Sequence, residues 1–246
     1  MARLILLLLV LWAGVTVSTV VDLQKRIING QRCNNNERQY HVKLSGDPNG
    51  DSLVCGGSLI SDQWILTAAH CWKHLLFAVV GVHPGNGRRV YHLTGRPVFY
   101  FDNQNRLHDL MLLKLPAPVQ IPPVALPVCN PLPTILRRMV HTNIPGQQLN
   151  SLTAAGPAFD ALNSRDPENR KFYQEKKYED WFCGASNQVD VCLVSHMSGG
   201  GVVFNNRIYG VISFTGNSRY ACVQAPAGFI DLCRPDYFKW IQDTIQ

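Results

Sequence analysis

Short apolar runs separated by turn residues recur over the first half of the chain. Turn signals lie between these runs at 47–50 (Asp-Pro-Asn-Gly) and at 84–87 (Pro-Gly-Asn-Gly). Each run has the length and the residue types of a strand and is shorter than a typical globular helix. The pattern therefore predicts short β-strands at 53–60, 64–69, 77–82, 98–101 and 110–115.

The pattern changes towards the C-terminus. Runs at 202–204 and 208–214 flank Asn205-Asn206 and predict a β-hairpin, whereas the polar, poorly periodic residues 140–180 predict loops. The last apolar residues fall at helical spacing behind Pro235, and proline is favoured at the first helical position. Many short strands with one terminal helix predict an all-β fold of the barrel or sandwich class.

A proline-rich segment divides the chain. Residues 116–133 hold seven prolines, which exclude a helix and disfavour a central strand. We expect an extended linker here between two halves of the fold.

The N-terminus has the pattern of a secretory signal peptide. Arg3 precedes an apolar run at 4–15, and small residues follow it, which predicts a signal over 1–18. The run is shorter than the ~20 residues that a membrane span needs, so no membrane anchoring is expected. A short segment, 19–26, then ends on Arg26 before the aliphatic Ile27, which is typical of a processing site.

Cysteine content and charge narrow the class of protein. Eight cysteines behind a signal peptide predict a secreted, disulfide-bonded protein, and no pair has the CxxC spacing of a zinc site. The formal net charge is +6, but acidic residues are mixed with the basic cluster at 165–177. Nucleic-acid binding needs a more one-sided basic patch. We expect no metal, no cofactor and no nucleic-acid partner.

Three local sequences contain the residue types of a nucleophilic triad in the order His, Asp, Ser. His70 lies in Thr-Ala-Ala-His-Cys, Asp109 opens an apolar run, and Ser198 begins Ser-Gly-Gly-Gly. A serine hydroxyl is a weak nucleophile at neutral pH, an imidazole can take its proton, and a buried carboxylate can orient the imidazole. Each motif alone is weak evidence, but this order is one of the known triad arrangements.

Two further motifs make the combination specific: Arg26 followed by Ile27-Ile28-Asn29-Gly30, and Cys-Gly-Gly-Ser-Leu-Ile at 55–60. From about residue 27 to 246 the chain resembles the chymotrypsin-fold serine proteases, most nearly the trypsins and tissue kallikreins. The resemblance implies two antiparallel six-stranded β-barrels, about 27–115 and 134–246, joined by the 116–133 linker. It also implies cleavage after Arg26 and protein or peptide ligands or substrates.

The resemblance also assigns roles to single residues. His70 matches the general base, Asp109 the acid that orients it, and Ser198 the nucleophile. Ser213 matches a serine that helps to hold the acid, and Asp190 matches the acid of a pocket that favours Arg or Lys. The residues expected to bind substrate are Asp190, Ser213, Phe214, Thr215 and Gly228.

The expected disulfides follow from the same resemblance. They are Cys55–Cys71 beside the histidine, Cys192–Cys222 beside the pocket, and Cys129–Cys233 between the linker and the C-terminal segment. The usual partners of Cys33 and Cys183 are absent, so these two cysteines are free, paired with each other, or paired between chains.

The resemblance breaks in the loop before Ser198. Active members of the family read Cys-x-Gly-Asp-Ser-Gly-Gly-Pro, whereas this chain reads Cys192-Leu-Val-Ser-His-Met-Ser198. Counted from the serine, Met197 replaces the aspartate and His196 replaces the glycine. Counted from Cys192, two residues are inserted and His196 takes the position of the nucleophile.

The aspartate and the glycine that Met197 and His196 replace both contribute to catalysis in the family. In the family the new N-terminal ammonium pairs with the aspartate and orders the pocket, so here the Ile27 ammonium would be buried without a counter-charge. Removing one partner of a buried ion pair costs about 3–5 kcal/mol. The glycine N–H helps to bind the oxyanion, and losing one such donor costs about 100- to 1000-fold in rate. Thr215 replaces a pocket-wall glycine, and Val82 replaces the usual calcium-loop acid, so calcium is not expected.

These departures predict a secreted homologue with weak or absent peptidase activity. The alternative is an active endopeptidase that cleaves after Arg or Lys through an acyl-enzyme, because all three triad residue types and Asp190 are retained.

Overall fold

The computed structural model describes residues 34–85, 87–130, 141–142, 153–155, 171, 178–185, 198–214 and 227–246. The chain folds mainly into β-strands. The first seven are β1 (His41–Ser45), β2 (Cys55–Leu59), β3 (Trp64–Thr67), β4 (Phe77–Val80), β5 (Arg89–His92), β6 (Val98–Phe101) and β7 (Leu107–Lys114).

These seven strands form one antiparallel sheet in the order β5-β4-β1-β2-β3-β7-β6. The inner strands of this sheet contribute fully buried apolar side chains, such as Leu44, Ile65 and Leu112. Burial of these side chains removes apolar area from water and is the main force that holds the sheet together. By contrast, β5 at one edge is exposed at three of its four residues.

A second antiparallel sheet contains the remaining strands in the order β8-β11-β12-β13-β10-β9. Their bounds are β8 (His141–Thr142), β9 (Thr153–Ala155), β10 (Trp181–Ala185), β11 (Gly201–Phe204), β12 (Arg207–Phe214) and β13 (Ala227–Asp231). The turn between β11 and β12 is Asn205-Asn206, with φ of 45° and 58°. Asparagine tolerates this left-handed region, which a two-residue hairpin of type I′ requires at both positions. The predicted hairpin is confirmed.

The linker crosses between the two sheets in extended form. Val124 N–H donates to the Leu59 carbonyl at 2.9 Å, and the neighbouring Ala125 carbonyl accepts from Ile208 N–H at 2.9 Å. The linker backbone therefore bridges β2 of the first sheet and β12 of the second. Within 116–130 the structure has no helix and only one isolated bridge, as the prolines predict.

A single helix, α1 (Pro235–Ile245), ends the described part of the chain. Proline occupies the start of the helix, as predicted, and Tyr237 and Ile241 form its buried face. The Cys129–Cys233 disulfide attaches the segment that leads into the helix to the linker.

Most of the predicted fold is confirmed, with three differences. The first sheet has seven strands where six were expected. The strands β1, β5, β10 and β13 were not predicted. The prediction of loops throughout 140–180 is wrong at β8 and β9, which are short strands paired in the second sheet.

The predicted signal at 1–18 and the segment at 19–26 lie outside the described residues. Among the helices that the structure does describe, none is both long and apolar enough to cross a membrane.

Candidate active site

His70 is held at the end of β3 by a short turn and a disulfide. The chain leaves β3 and forms a 3₁₀ turn at Ala69–Cys71. The expected Cys55–Cys71 disulfide then attaches this turn to β2. The His70 side chain keeps 46% of its surface exposed, so the ring is accessible at the surface while its backbone is fixed.

Asp109 lies in β7 and faces this histidine. Its carboxylate accepts from the His70 backbone N–H at 2.9 Å and contacts the ring Nδ1 at 2.8 Å. The Ser213 hydroxyl, from β12, donates to the same carboxylate. A carboxylate in this position favours the tautomer with the proton on Nδ1 and leaves Nε2 as the basic nitrogen.

The environment of Asp109 keeps it ionised although it is only 5% exposed. Burial favours the protonated carboxyl, but the hydrogen bonds and positive charge of His70, together with the Ser213 hydroxyl, outweigh burial and lower the pKa of Asp109. A charged carboxylate at this place can stabilise an imidazolium on His70.

Ser198 lies in a turn that joins the two sheets just before β11. Gly56 N–H in β2 donates to the Ser198 carbonyl at 2.8 Å. Gly199 N–H donates to the Ile212 carbonyl at 2.7 Å, and Ile212 N–H donates to the Gly200 carbonyl at 2.9 Å. The serine backbone is thus fixed between a strand of each sheet.

Gly199 is required by the packing of this turn. Its φ is +79°, and a Cβ on it would overlap the Thr67 hydroxyl oxygen and the Gly56 carbonyl oxygen. Glycine is the residue that accepts both the left-handed backbone and the close approach. Glycine after Ser198 is therefore required by the packing and backbone conformation of the turn, whatever the chemical role of the serine.

The structure thus brings four of the predicted site residues to the junction of the two sheets: His70, Asp109, Ser198 and Ser213. Ser198 and Ser213 are both buried. The imidazole of His70 is therefore half-exposed and bound to a buried carboxylate. That carboxylate accepts hydrogen bonds from three donors: the His70 backbone N–H, the His70 ring and the Ser213 hydroxyl.

Three of the five residues expected to bind substrate are described, namely Ser213, Phe214 and Gly228. The half-buried ring of Phe214 lies against the backbone of Gly228, and a Cβ on Gly228 would overlap that ring. Several other predicted residues lie outside the described part of the chain, namely Arg26, Ile27, Asp190, Cys192, Thr215 and Cys222. Cys183 lies in β10, whereas Cys33, His196 and Met197 are also outside the described residues.

Sequence reasoning did not identify a buried polar cluster behind Asp109. The Tyr237 hydroxyl in α1 hydrogen-bonds His108 Nδ1 and accepts from Asp180 N–H at 3.1 Å. Glu179 is 5% exposed, and its carboxylate lies 3.4 Å from Asp109 N. The one available signal was His108-Asp109 at the start of an apolar run, because two adjacent ionisable residues rarely enter a buried strand without partners.

One His/Cys cluster has the spacing of a metal site but not its chemistry. Ligand atoms of Cys55, His70 and Cys71 lie within 4.8 Å of one another. Both sulfurs are bonded to each other in the disulfide, so neither is available as a thiolate ligand. The disulfide therefore explains the proximity of these three side chains.

Comparisons with known proteins agree with this geometry. Rat kallikrein-8 (Rattus norvegicus) is 28% identical over 98% of this chain and 94% of its own length. Dog anionic trypsin (Canis lupus familiaris) is 28% identical over 97% of each chain. In structure, the chain is similar to neuropsin, a serine protease of the mouse limbic system, with a TM-score of 0.66 and 24% identity over 89% of this chain and 99% of that one.

A second structural neighbour, HL collagenase, has a TM-score of 0.67 and 24% identity over 89% of this chain and 98% of its own. At that identity the two structural likenesses establish the fold, which is the chymotrypsin fold. The trypsin family model matches residues 27–241, nearly the whole chain after the predicted processing site. The chain therefore belongs to the trypsin family of serine proteases.

Proposed function

We propose that this protein is a secreted member of the trypsin family that binds proteins or peptides and cleaves them weakly or not at all. The observation that carries the proposal is the sequence before Ser198. Met197 stands where the family has an aspartate, and the residues from Cys192 to Ser198 include no carboxylate. The predicted signal peptide and the disulfides support secretion.

We place the defect in the loop, because the described part of the triad scaffold is held by hydrogen bonds. Asp109 holds His70 at 2.8 Å, and Ser213 holds Asp109. The turn of Ser198 is hydrogen-bonded to both sheets. Weak activity in this protein therefore comes from the loop that should form the anion site, and not from a collapsed triad scaffold.

The loss of the carboxylate affects the N-terminus that cleavage would create. After cleavage behind Arg26, the Ile27 ammonium has no carboxylate in this loop to pair with. An unpaired buried ammonium costs several kcal/mol, so insertion of the N-terminus is unfavourable. The pocket and the oxyanion donors then stay unformed. Each missing oxyanion donor lowers the rate by about 100- to 1000-fold.

The alternative function is cleavage after Arg or Lys by an active endopeptidase. The retained contacts of Asp109 with His70 and Ser213 favour it. In that reaction His70 Nε2 would take the Ser198 hydroxyl proton as the oxygen attacks the scissile carbonyl, and would return it to the leaving amine. Water would then release the acyl group from Ser198 by the same proton transfers.

The discriminating experiment is covalent labelling of Ser198. Protein that begins at Ile27 is treated with a fluorophosphonate, and the labelled fraction is compared with that of Ser198→Ala. We expect wild type and variant to show the same background. Stoichiometric labelling at Ser198 that is lost in the variant would establish the alternative, active function.

A rescue experiment tests the cause. Met197→Asp combined with removal of two loop residues restores the family spacing and charge, and it should raise labelling well above wild type. Met197→Asn with the same deletion is the matched control, because it has the size of the aspartate but no charge. Equal labelling in the two variants would refute the electrostatic explanation.

A further inference from the structure

A surface cavity of about 380 Å³ lies at the end of β11 that is farther from Ser198. Its walls come from three parts of the chain: residues 36–40 before β1, Pro122 and Pro123 in the linker, and residues 203–206 at the turn between β11 and β12. Ligand pockets have volumes of about 300–1,000 Å³, so this cavity is large enough for a small ligand. The length of β11, about 10 Å, separates the cavity from the Ser198 turn.

Side-chain amides form much of the polar wall of this cavity. They belong to Asn36, Gln39, Asn205 and Asn206, and each amide offers both hydrogen-bond donors and acceptors. In the part of the chain that the structure describes, the amides of Asn36, Asn205 and Asn206 have no hydrogen-bond partner. These three residues are exposed, so their amides are accessible to a ligand.

The wall carries no net charge. Glu37 contributes one carboxylate and Arg38 one guanidinium, and the other lining residues are uncharged. The Glu37 carboxylate is held by Asn34, whose backbone N–H and side-chain amide donate to its two oxygens at 3.0 and 3.2 Å. A neutral wall that offers donors and acceptors throughout suits a neutral ligand with many hydroxyl groups, because each hydroxyl both donates and accepts.

An apolar surface lines the same cavity. Pro122 and Pro123 are exposed, and Phe204 is half-buried, with its ring centroid 6.5 Å from that of the buried Tyr209. A sugar has hydroxyl groups around its edge and an apolar C–H face, so it matches a wall that has both kinds of surface. A purely apolar ligand would instead remove water from the amides without replacing their hydrogen bonds, which is costly.

The backbone of the wall is fixed before any ligand binds. Among the described residues other than glycine, four have a positive φ, and three of these line the cavity: Arg38 at 56°, Asn205 at 45° and Asn206 at 58°. The hairpin turn accounts for the two asparagines, whereas arginine is disfavoured in this conformation. Residues held in such conformations cluster at ligand sites, and a wall that is already ordered loses less entropy on binding.

We propose that this cavity binds a neutral sugar of one or two rings. The amides of Asn36, Asn205 and Asn206 bond the hydroxyl groups, and Phe204 packs against the apolar face of a ring. The inference goes beyond the proposed function, and it does not depend on whether Ser198 reacts.

The test measures sugar binding to the secreted protein by saturation-transfer NMR. The probes are cellobiose and N,N′-diacetylchitobiose, which are neutral two-ring sugars without and with acetamido groups. Each probe is titrated to about 10 mM, at which a ligand with an affinity of about 1 mM fills most sites. We expect saturable binding of at least one of them, and the inference is wrong if neither binds.

Glycine variants locate the bound sugar. The double variant Asn205→Gly/Asn206→Gly removes two amides, and glycine keeps the left-handed backbone of the turn. Asn105→Gly is the matched control, because Asn105 has a φ of 57° but lies between β6 and β7, outside the cavity wall. We expect the double variant to bind at least about fivefold more weakly, the effect of one lost hydrogen bond between neutral groups, and the control to match wild type.

Two results would overturn the assignment even if a sugar binds. The first is equal affinity of wild type and the double variant, or an equal loss in Asn105→Gly. The second is binding of triglycine capped at both ends with the same dependence on the two asparagines, which would show a site for polypeptide. If circular dichroism shows that the double variant is unfolded, Asn36→Ala replaces it, because Asn36 lies outside the hairpin. That variant must also weaken sugar binding.

Discussion

Gly199→Ala tests the packing on which the position of Ser198 depends. The substitution adds one methyl group to a turn fixed between the two sheets. That methyl would overlap the Thr67 hydroxyl oxygen and the Gly56 carbonyl oxygen. The hydroxyl donates to the same carbonyl at 2.8 Å, so neither atom can withdraw without disturbing a buried hydrogen bond.

The expected cost has two parts. Alanine at a φ of +79° is disfavoured by about 1–2 kcal/mol. Overpacking of a rigid site adds about 1–3 kcal/mol. We therefore expect Gly199→Ala to lower the free energy of unfolding by about 2–5 kcal/mol. Because the turn carries Ser198, we also expect a weaker backbone hydrogen bond between Gly56 and Ser198.

Gly85→Ala separates the two parts. Gly85 also has a positive φ, +100°, but a Cβ on it would have its nearest neighbour 3.9 Å away. It should therefore show the conformational cost without the overlap. Urea denaturation of both variants and wild type, followed by circular dichroism, gives the two differences. If Gly199→Ala is no more destabilising than Gly85→Ala, the turn is not packed as described.

The remaining predictions concern the support of the site. Tyr237→Phe removes the hydroxyl that bonds His108 and Asp180 N–H, and thermal denaturation should show a loss of about 1–3 kcal/mol; a loss under 0.5 kcal/mol, as expected for a surface change, would contradict this. The pKa of Asp109 is lower in the folded protein than the value of about 3.9 expected in the unfolded chain. Ionised Asp109 therefore stabilises the fold at pH values above about 3.9, and this contribution is lost as the pH falls through the pKa of the folded state. Asp109→Asn should therefore flatten the decline in stability below about pH 4, and an unchanged acid slope would count against that assignment. Replacing Cys129 and Cys233 by serine opens a loop of 104 residues and should cost about 2–5 kcal/mol in urea denaturation; full retention of stability would show that the linker is held by other contacts.

The sequence predicted those parts of the fold that depend on local patterns. Strands with uninterrupted apolar runs, such as β3 and β7, were found in this way. In contrast, β5 is exposed at Arg89, Val90 and His92 and has no apolar face to detect. Its strand conformation comes from pairing with β4, which is a tertiary effect.

In the candidate site, too, the residues in local motifs were predictable from the sequence, whereas the contacts made by the fold were not. His70, Asp109 and Ser198 stand in short local motifs, so the sequence was sufficient to select them. By contrast, the Asp109 backbone N–H donates to the carboxylate of Glu179, which lies 70 residues further along the chain. The position of the Phe214 ring depends on an irregular register between β12 and β13, which no local pattern encodes.

The most direct test of the whole account is the reactivity of the Ile27 amine. Protein that begins at Ile27 is treated briefly with acetic anhydride at neutral pH, and acetylation of the N-terminus is quantified by mass spectrometry in native and denatured samples. We predict equal modification in both, because an ammonium without a carboxylate partner stays in water. Protection of at least about tenfold in the native sample, corresponding to about 1.4 kcal/mol, would show that the amine is buried and paired, and would contradict the proposed cause of weak activity.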